Sequence, residues 1–507
     1  MLKKLSLVSP EIKIILGLTL ARLILHVICI NNYGIFRDEL YYIACGEHLD
    51  FGYVDHPPFA ALIAKISTAL FGNSLFAIRI FSVLASSLVV FFAGLFTLEF
   101  GGNRKSIIIS CLVVLFVPVL LGSGSFFSMN SFDQLFWAIT IYIVIRILRT
   151  GNQKLWIWFG IIVGIGFQNK ISILFLCFGL FTGLILTSHR KMLLDKHLWI
   201  GALVAFLIAL PNILWQIYND WPTMEFIHNA STYKNMPLSV MDFILGQIMN
   251  MNPTFFPLVL LGLWFFFFDK FGKIFSLFGW MFISLLILFV STKSKTYYMA
   301  PVFPVIIAAG AVVLSRIKPT LMSTVYITII VAGISSLPFG LPVLPVEQYI
   351  AYSRFTGITP KPEERSELNV LPQLYADMFG WKEMVDSVGR VYNSLDPEEK
   401  KDCGIYAQNY GEAGAIDFFG RQYGLPYAFS GHNSYWLWGT DRVTDKNIMI
   451  IIGGDPEDHK KVYEEVKTQA FFSHKYVMPF ENNLNIYLCR GLKIPLKKVW
   501  PDTKFYI

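Results

Sequence analysis

Two short runs near the start of the chain concentrate its ionisable and aromatic chemistry: Phe36-Arg37-Asp38-Glu39-Leu40-Tyr41-Tyr42 and Gly52-Tyr53-Val54-Asp55-His56-Pro57-Pro58. Two adjacent carboxylates beside one guanidinium can hold a general base and orient it, because proton abstraction needs a fixed acceptor whose direction a neighbour sets. Asp38 is the candidate base and Glu39 its neighbour, while Arg37 is a cation able to meet developing negative charge. Tyr41, Tyr42, Asp55 and His56 add hydroxyl, carboxylate and imidazole groups for binding a polar substrate. The competing reading is an interfacial charge pair on a solvated loop. The tyrosines, the Asp-His-Pro-Pro run and the amphipathic segment behind it weigh against that reading.

Three further places carry charge beside apolar runs. Asn130-Ser131-Phe132-Asp133 places a carboxylate where the chain re-enters an apolar segment; Asp133 is a substrate ligand, a helix N-cap, or both. Lys170 stands alone in Gln168-Asn169-Lys170 between two apolar runs, which suits an anionic ligand. In Lys293-Ser294-Lys295-Thr296-Tyr297-Tyr298 the lysines either snorkel to lipid headgroups or bind a phosphate near the membrane surface, with the tyrosine hydroxyls beside them. Asp55, His56 and Asp133 are also a conceivable set of ligands for a divalent ion, although no cofactor is expected to be required.

The elements that must position these groups belong to a membrane protein. Of 507 residues 54% are hydrophobic and 15% charged, with 45 Phe and 12 Trp; ordinary soluble domains carry about 25% charged residues. So few charges cannot cover a water-facing surface, so the excess apolar residues need a bilayer. This argues against a cytosolic enzyme, a disordered chain, a coiled coil or a nucleic-acid binder, the last despite a net charge of +7. Eleven candidate spans fall at 12–30, 75–98, 106–122, 131–148, 155–168, 171–187, 198–217, 254–268, 274–291, 299–315 and 320–340. The segment 57–71 is apolar but short and reads as an interfacial or re-entrant helix. With Lys3 and Lys4 inside, the basic turns at Arg104–Lys105, Arg146–Lys154, Arg190–Lys196, Lys270–Lys273 and Arg316–Lys318 all fall on the inner side. Residues 31–57 are then the first outer loop, and an odd number of spans leaves the tail outside.

The tail is a different material. Residues 1–340 form the membrane bundle and 341–507 an extracytoplasmic α/β domain, with strands expected at 403–407, 447–452 and 484–489 and helices at 411–422 and 456–468. In the exported tail Cys403 and Cys489 are free to pair. Tyr410-Gly411-Glu412-Ala413-Gly414-Ala415 and Ser430-Gly431-His432-Asn433-Ser434-Tyr435-Trp436 either offer Glu412, His432 and Asn433 to an acceptor or form a strand-to-helix turn and a structured loop.

Arg-Asp-Glu-Leu-Tyr-Tyr followed by Gly-Tyr-Val-Asp-His-Pro-Pro resembles the first outer loop of the GT-C glycosyltransferases related to dolichyl-phosphate-mannose protein mannosyltransferases. Their bacterial relatives include the aminoarabinose transferases that modify lipid A. The resemblance covers about residues 10–340. It implies a bundle of about eleven or more spans, an acidic first outer loop, a re-entrant helix after the Pro-Pro and an outer C-terminal domain. It also implies that an aspartate at the position of Asp38 is the catalytic base, that Asp133 matches a second acidic site, and that Lys170 and Lys295–Pro301 lie near the lipid phosphate. The aminoarabinose transferases have Glu-Lys-Pro-Pro where this chain has Asp55-His56-Pro57-Pro58, so a permanently charged residue is replaced by one that titrates near neutrality.

The expected activity is transfer of a sugar from a polyprenyl-phosphate donor to a lipid, glycan or protein acceptor on the outer face of a bacterial inner membrane, inverting the anomeric carbon. No Gly-rich phosphate loop or Walker pattern is present, as suits a donor without a nucleotide. The alternative is a transporter or flippase of a lipid-linked or anionic solute; against it, the ionisable residues cluster at one boundary and no inverted repeat is visible. A non-catalytic scaffold would leave the acidic first loop without a purpose.

Overall fold

The computed structural model describes residues 9–362 and 364–507; Lys3 and Lys4 lie outside the described residues. The chain divides into two compact units. The first holds the segment ending at Asn32 together with Phe76–Ile213 and Pro237–Pro345; the second holds Tyr33–Leu75, Leu214–Met236 and Val346–Ile507. The acidic first loop therefore folds with the tail rather than with the sequence on either side of it.

The first unit is helical. Among the described residues seven helices are long and apolar enough to cross a bilayer: Pro10–Cys29, Leu75–Glu99, Met129–Thr150, Lys196–Tyr218, Gly272–Ser291, Thr296–Leu314 and Pro319–Phe339. Arg104–Phe116 with Pro118–Gly124, and Ile173–Ile185 with Ser188–Leu194, are pairs bent by 59° and 116° that bring the number to nine if each is one span. All eleven expected segments are thus helical at their cores. Leu155–Asn169 and Pro257–Phe268, at 15 and 12 residues, reach only about 22 and 18 Å, short of a hydrocarbon core of roughly 30 Å.

Local chemistry sets the helix ends. Ser9 caps Pro10–Cys29 by accepting from the Ile12 N–H, with Pro10 and Glu11 in the first turn, where a missing donor costs nothing and a carboxylate meets the positive helix end. Leu16, Leu20, Ile24 and Ile28 form an exposed apolar stripe on that helix, the face that lipid covers. Its opposite face buries Arg22, which donates to Leu115 O (2.5 Å), Leu120 O (2.6 Å) and Ser86 Oγ (2.8 Å). Pro118 breaks the helix there, and a bilayer offers no water to the carbonyls around the break; the guanidinium supplies the donors instead.

The second unit contains a five-stranded sheet: β1 Cys403–Tyr406, β2 Ala428–Phe429, β3 Ile448–Ile452, β4 Tyr463–Phe472 and β5 Leu484–Leu492, in the order β2-β1-β3-β5-β4. β1 is parallel to β2 and β3, and β5 is antiparallel to β3 and β4. The all-buried run Ile448–Ile452 is the central strand, as expected of a strand covered on both faces. Helices Tyr410–Phe419 and Ser434–Arg442 make the crossovers from β1 to β2 and from β2 to β3.

One expectation for the tail is corrected, and the open question of its cysteines is answered. The helix expected over 456–468 ends at Val462, and Tyr463–Phe472 is a strand: Tyr463, Val466 and Thr468 pair with Leu492, Cys489 and Tyr487 of β5, and the aromatic and β-branched side chains favour that state. Cys403 and Cys489 are both free. They lie on β1 and β5, with β3 between them, which sets them about 9.5 Å apart at ordinary strand spacing, beyond the Cα span a disulfide bridges.

Candidate active site

In the second unit the first loop contains a helix, Arg37–Glu47. Its capping is built into the acidic run: the Phe36 N–H donates to Glu39 Oε2 at 2.8 Å, so Glu39, fully buried, serves the helix end. Arg37 lies beneath. Its Nε is 3.8 Å from Asp38 Oδ1 and its Nη2 3.7 Å from Asp377 Oδ2. The guanidinium also sits 5.3 Å over the Tyr410 ring. Asp38 accepts from the Tyr410 hydroxyl at 2.8 Å. The three acids differ in access: the Asp38 side chain is 34% exposed and that of Asp377 2%, while Glu39 is sealed.

Tyr410 is placed by the crossing of two helices. Tyr410–Phe419 begins at Asn409, whose side chain caps it by accepting from the Gly411 and Glu412 N–H groups. A Cβ at Gly411 would lie 2.5 Å from Arg37 Cγ, and one at Gly414 3.0 Å from Leu40 Cβ. The two glycines let Tyr410–Phe419 lie directly on Arg37–Glu47, which brings the Tyr410 hydroxyl to Asp38.

The rest of the first loop is tied to the same unit. The Tyr41 hydroxyl donates to Asp55 Oδ1 (2.9 Å), sits 2.8 Å from Ser434 Oγ and accepts from the Ser434 N–H. Burial raises the Asp55 carboxyl above its ordinary range, against the opposing pull of His56. His56 is fully buried between the Tyr42 and Tyr53 rings, with Nδ1 at 2.8 Å from Pro57 O and Nε2 at 3.6 Å from Cys45 Sγ. Both ring nitrogens are thus engaged within the unit.

A buried acid network lies behind Asp38. Burial raises Asp377 to about 6, Arg37 opposing the shift. Glu412 and Glu481 are paired: Glu412 accepts from the Gln408 N–H and Glu481 from the Asn409 side chain. Burial and the neighbouring Glu481 hold the Glu412 proton well above the carboxylate range, and Glu481 itself is pushed by burial to about 7. His432 is driven down to about 3 by burial, with Nδ1 accepting from the Tyr410 N–H and Nε2 2.9 Å from Ile507 O. Asn433 exchanges hydrogen bonds with Ile507. Sequence reasoning missed Tyr410 and Asp377 as partners of the acidic run; the Gly-x-x-Gly spacing of Gly411 and Gly414 was the available signal.

The first unit gathers the other predicted residues. Lys170 follows the helix Leu155–Asn169, and its Nζ lies 2.7 Å from Asn130 Oδ1 and 5.6 and 5.2 Å from the Tyr297 and Tyr298 ring centres. Asp133 is buried and accepts from Ser172 Oγ at 2.6 Å. The cap of Met129–Thr150 is Ser128 rather than Asp133. Lys293 is exposed with φ +50°, and Lys295 precedes the turn Thr296–Val302. Among the described residues no three His, Cys, Asp or Glu side chains converge as metal ligands.

A helical membrane unit, with a capped acid-bearing helix between its first two spans and a C-terminal α/β sheet, defines a polytopic protein of the GT-C fold. Residues 55–215 match the family described as dolichyl-phosphate-mannose-protein mannosyltransferase. The chain is 26% identical over 255 residues to the lipid A galacturonosyltransferase RgtD of Rhizobium johnstonii, 48% of this chain and 51% of the relative; it thus spans about half the length of that curated relative. Its fold is similar to that of ArnT from Cupriavidus metallidurans bound to undecaprenyl phosphate, with a TM-score of 0.64 at 13% identity over 94% of this chain and 97% of that one. The Archaeoglobus fulgidus oligosaccharyltransferase aligns with a TM-score of 0.50 at 12% identity, over 89% and 70%.

Proposed function

We propose that the protein is a membrane glycosyltransferase that moves a sugar from a polyprenyl-phosphate carrier to an acceptor on the outer face of a bacterial plasma membrane. One observation carries the reading: Asp38 is an accessible carboxylate held by a tyrosine hydroxyl and a buried arginine, while the acids around it are sealed. That is the arrangement a general base needs. The names of the relatives support the class, since one is called a lipid A galacturonosyltransferase and another is described with undecaprenyl phosphate bound.

Asp38 takes the proton of the acceptor hydroxyl or amine as that group attacks the anomeric carbon. The bond from that carbon to the phosphate oxygen breaks, its electron pair leaves with polyprenyl phosphate, and a single displacement inverts the centre. The departing phosphate gains negative charge, which Lys170 and the hydroxyls of Tyr297 and Tyr298 in the membrane unit are suited to meet, with Lys293 and Lys295 on the preceding loop. Arg37, clamped by Asp38 and Asp377, holds the base in place. A phosphate leaving group needs charge neutralisation more than a protonating acid, so this reading requires no metal.

Purified protein in detergent, given a panel of polyprenyl-phosphate sugars and a membrane extract as acceptor, tests this through release of polyprenyl phosphate. Asp38→Asn is expected to lower release from the active donor by about 10²-fold or more. Wild-type release from the variant sinks Asp38 as the base. No release by folded protein with any donor and acceptor removes the transferase reading in favour of a transporter.

A further inference from the structure

The sheet of the second unit has its own switch point. From β1 the chain crosses to β2 on one side, and β3 then returns to the other side of β1. In open α/β sheets ligands bind outside the carboxyl ends of the strands at such a point. The segments that leave those ends are Ala407–Asn409 and the turn Gly453-Gly454, whose φ values of +63° and +79° lie in the region that favours glycine. A cavity of about 420 Å³ opens here, within the size range of small-molecule sites. Gln408, Asn409 and both glycines line it.

The lining indicates a class of ligand. Tyr233, Phe480 and Phe505 edge the cavity with rings 64%, 44% and 52% exposed. Such rings offer flat apolar surface, which fits the C–H face of a sugar, while amide side chains and backbone meet its hydroxyls. Arg37, Lys234 and Arg365 bring three cations to the wall against Glu364 and Glu412, and Glu412 is the proton-holding member of its pair. Ser366 Oγ and Arg37 Nε are buried polar atoms of this wall without a protein hydrogen-bond partner; buried polar atoms are normally satisfied.

We infer that this cavity binds a saccharide carrying a carboxylate or a phosphate, its ring against the aromatic edge and its anion toward Lys234 and Arg365. Taking that saccharide as part of the acceptor rests on the transferase reading; binding itself does not.

Calorimetric titration of the full chain in detergent tests the site with four probes: glucuronic acid, glucose 1-phosphate, glucose and inorganic phosphate. At least one anionic sugar is expected to bind tenfold or more tightly than glucose and than phosphate, and the two anionic sugars show which anion is preferred. Arg365→Glu should weaken that binding at least tenfold, and Ser366→Trp, which fills the cavity, should abolish it; melting curves report whether each variant folds, and Lys234→Glu replaces any that does not. Glucose binding equally well overturns the anionic assignment, and phosphate binding equally well overturns the saccharide. No binding by any probe, or binding unchanged in the folded variants, overturns the site. Anionic-sugar binding by a chain that releases no polyprenyl phosphate leaves the site standing and removes only its assignment to an acceptor.

Discussion

At the scale of single residues, the Tyr410 hydroxyl is the decisive contact. It donates to Asp38 from 372 positions away in the chain, and hydrogen bonds to charged groups contribute about 1.5–3 kcal/mol. Tyr410→Phe is expected to lower kcat about tenfold with the acceptor KM nearly unchanged, because the variant loosens the base without emptying a binding site; a purely structural role would instead lower Tm and leave kcat alone. Lys170→Met should raise the donor KM about tenfold while Lys170→Arg keeps most of the affinity, since a point charge facing two tyrosines is what the phosphate reading uses. The candidate site residues were legible because type and adjacency are visible in a string: Arg-Asp-Glu next to two tyrosines is uncommon beside an apolar run. Their supports were less legible. Asp377 and Tyr410 reach Arg37 and Asp38 only through the fold; the Gly411 and Gly414 spacing beside Tyr410 was a local signal, and Asp377 had none.

At the scale of elements, the crossing of Arg37–Glu47 with Tyr410–Phe419 sets the geometry. Gly414→Ala would place a methyl group 3.0 Å from Leu40 Cβ and 3.1 Å from the Leu40 backbone carbon, and overpacking of this kind costs about 1–3 kcal/mol. A lowered Tm in melting curves, with a loss of transfer larger than that of Tyr410→Phe, is the expected result, because the whole helix is displaced from the base. The membrane helices were legible from hydropathy, which needs no partner to be read. The segment after Pro456 was not: the Asp455 cap and Pro456 announce a helix correctly, but only pairing with β5 shows that it stops after seven residues. Local signals start elements reliably, and tertiary partners end them.

At the scale of the whole molecule, proton uptake links the second unit to pH. Asp377, Glu481 and Asp417 are raised by burial to about 6, 7 and 7, while unfolded carboxyls titrate near 4. Between about pH 4 and 7 the folded unit therefore binds more protons than the unfolded chain, so stability falls as pH rises through that window and levels off above it. The second unit is expected to melt several degrees higher at pH 5.5 than at pH 8, and Asp377→Asn should reduce that difference; a Tm that rises toward pH 8 contradicts these assignments. The discontinuity of this unit also has a consequence in time. Arg37–Glu47 leaves the ribosome early, whereas the helix that carries Tyr410 is made more than 370 residues later, roughly 20–75 s at bacterial to eukaryotic synthesis rates. On the proposed function, the chain until then has its membrane helices but not Tyr410 beside Asp38, so a nascent or prematurely ended polypeptide already inserted in the bilayer is expected to be catalytically silent.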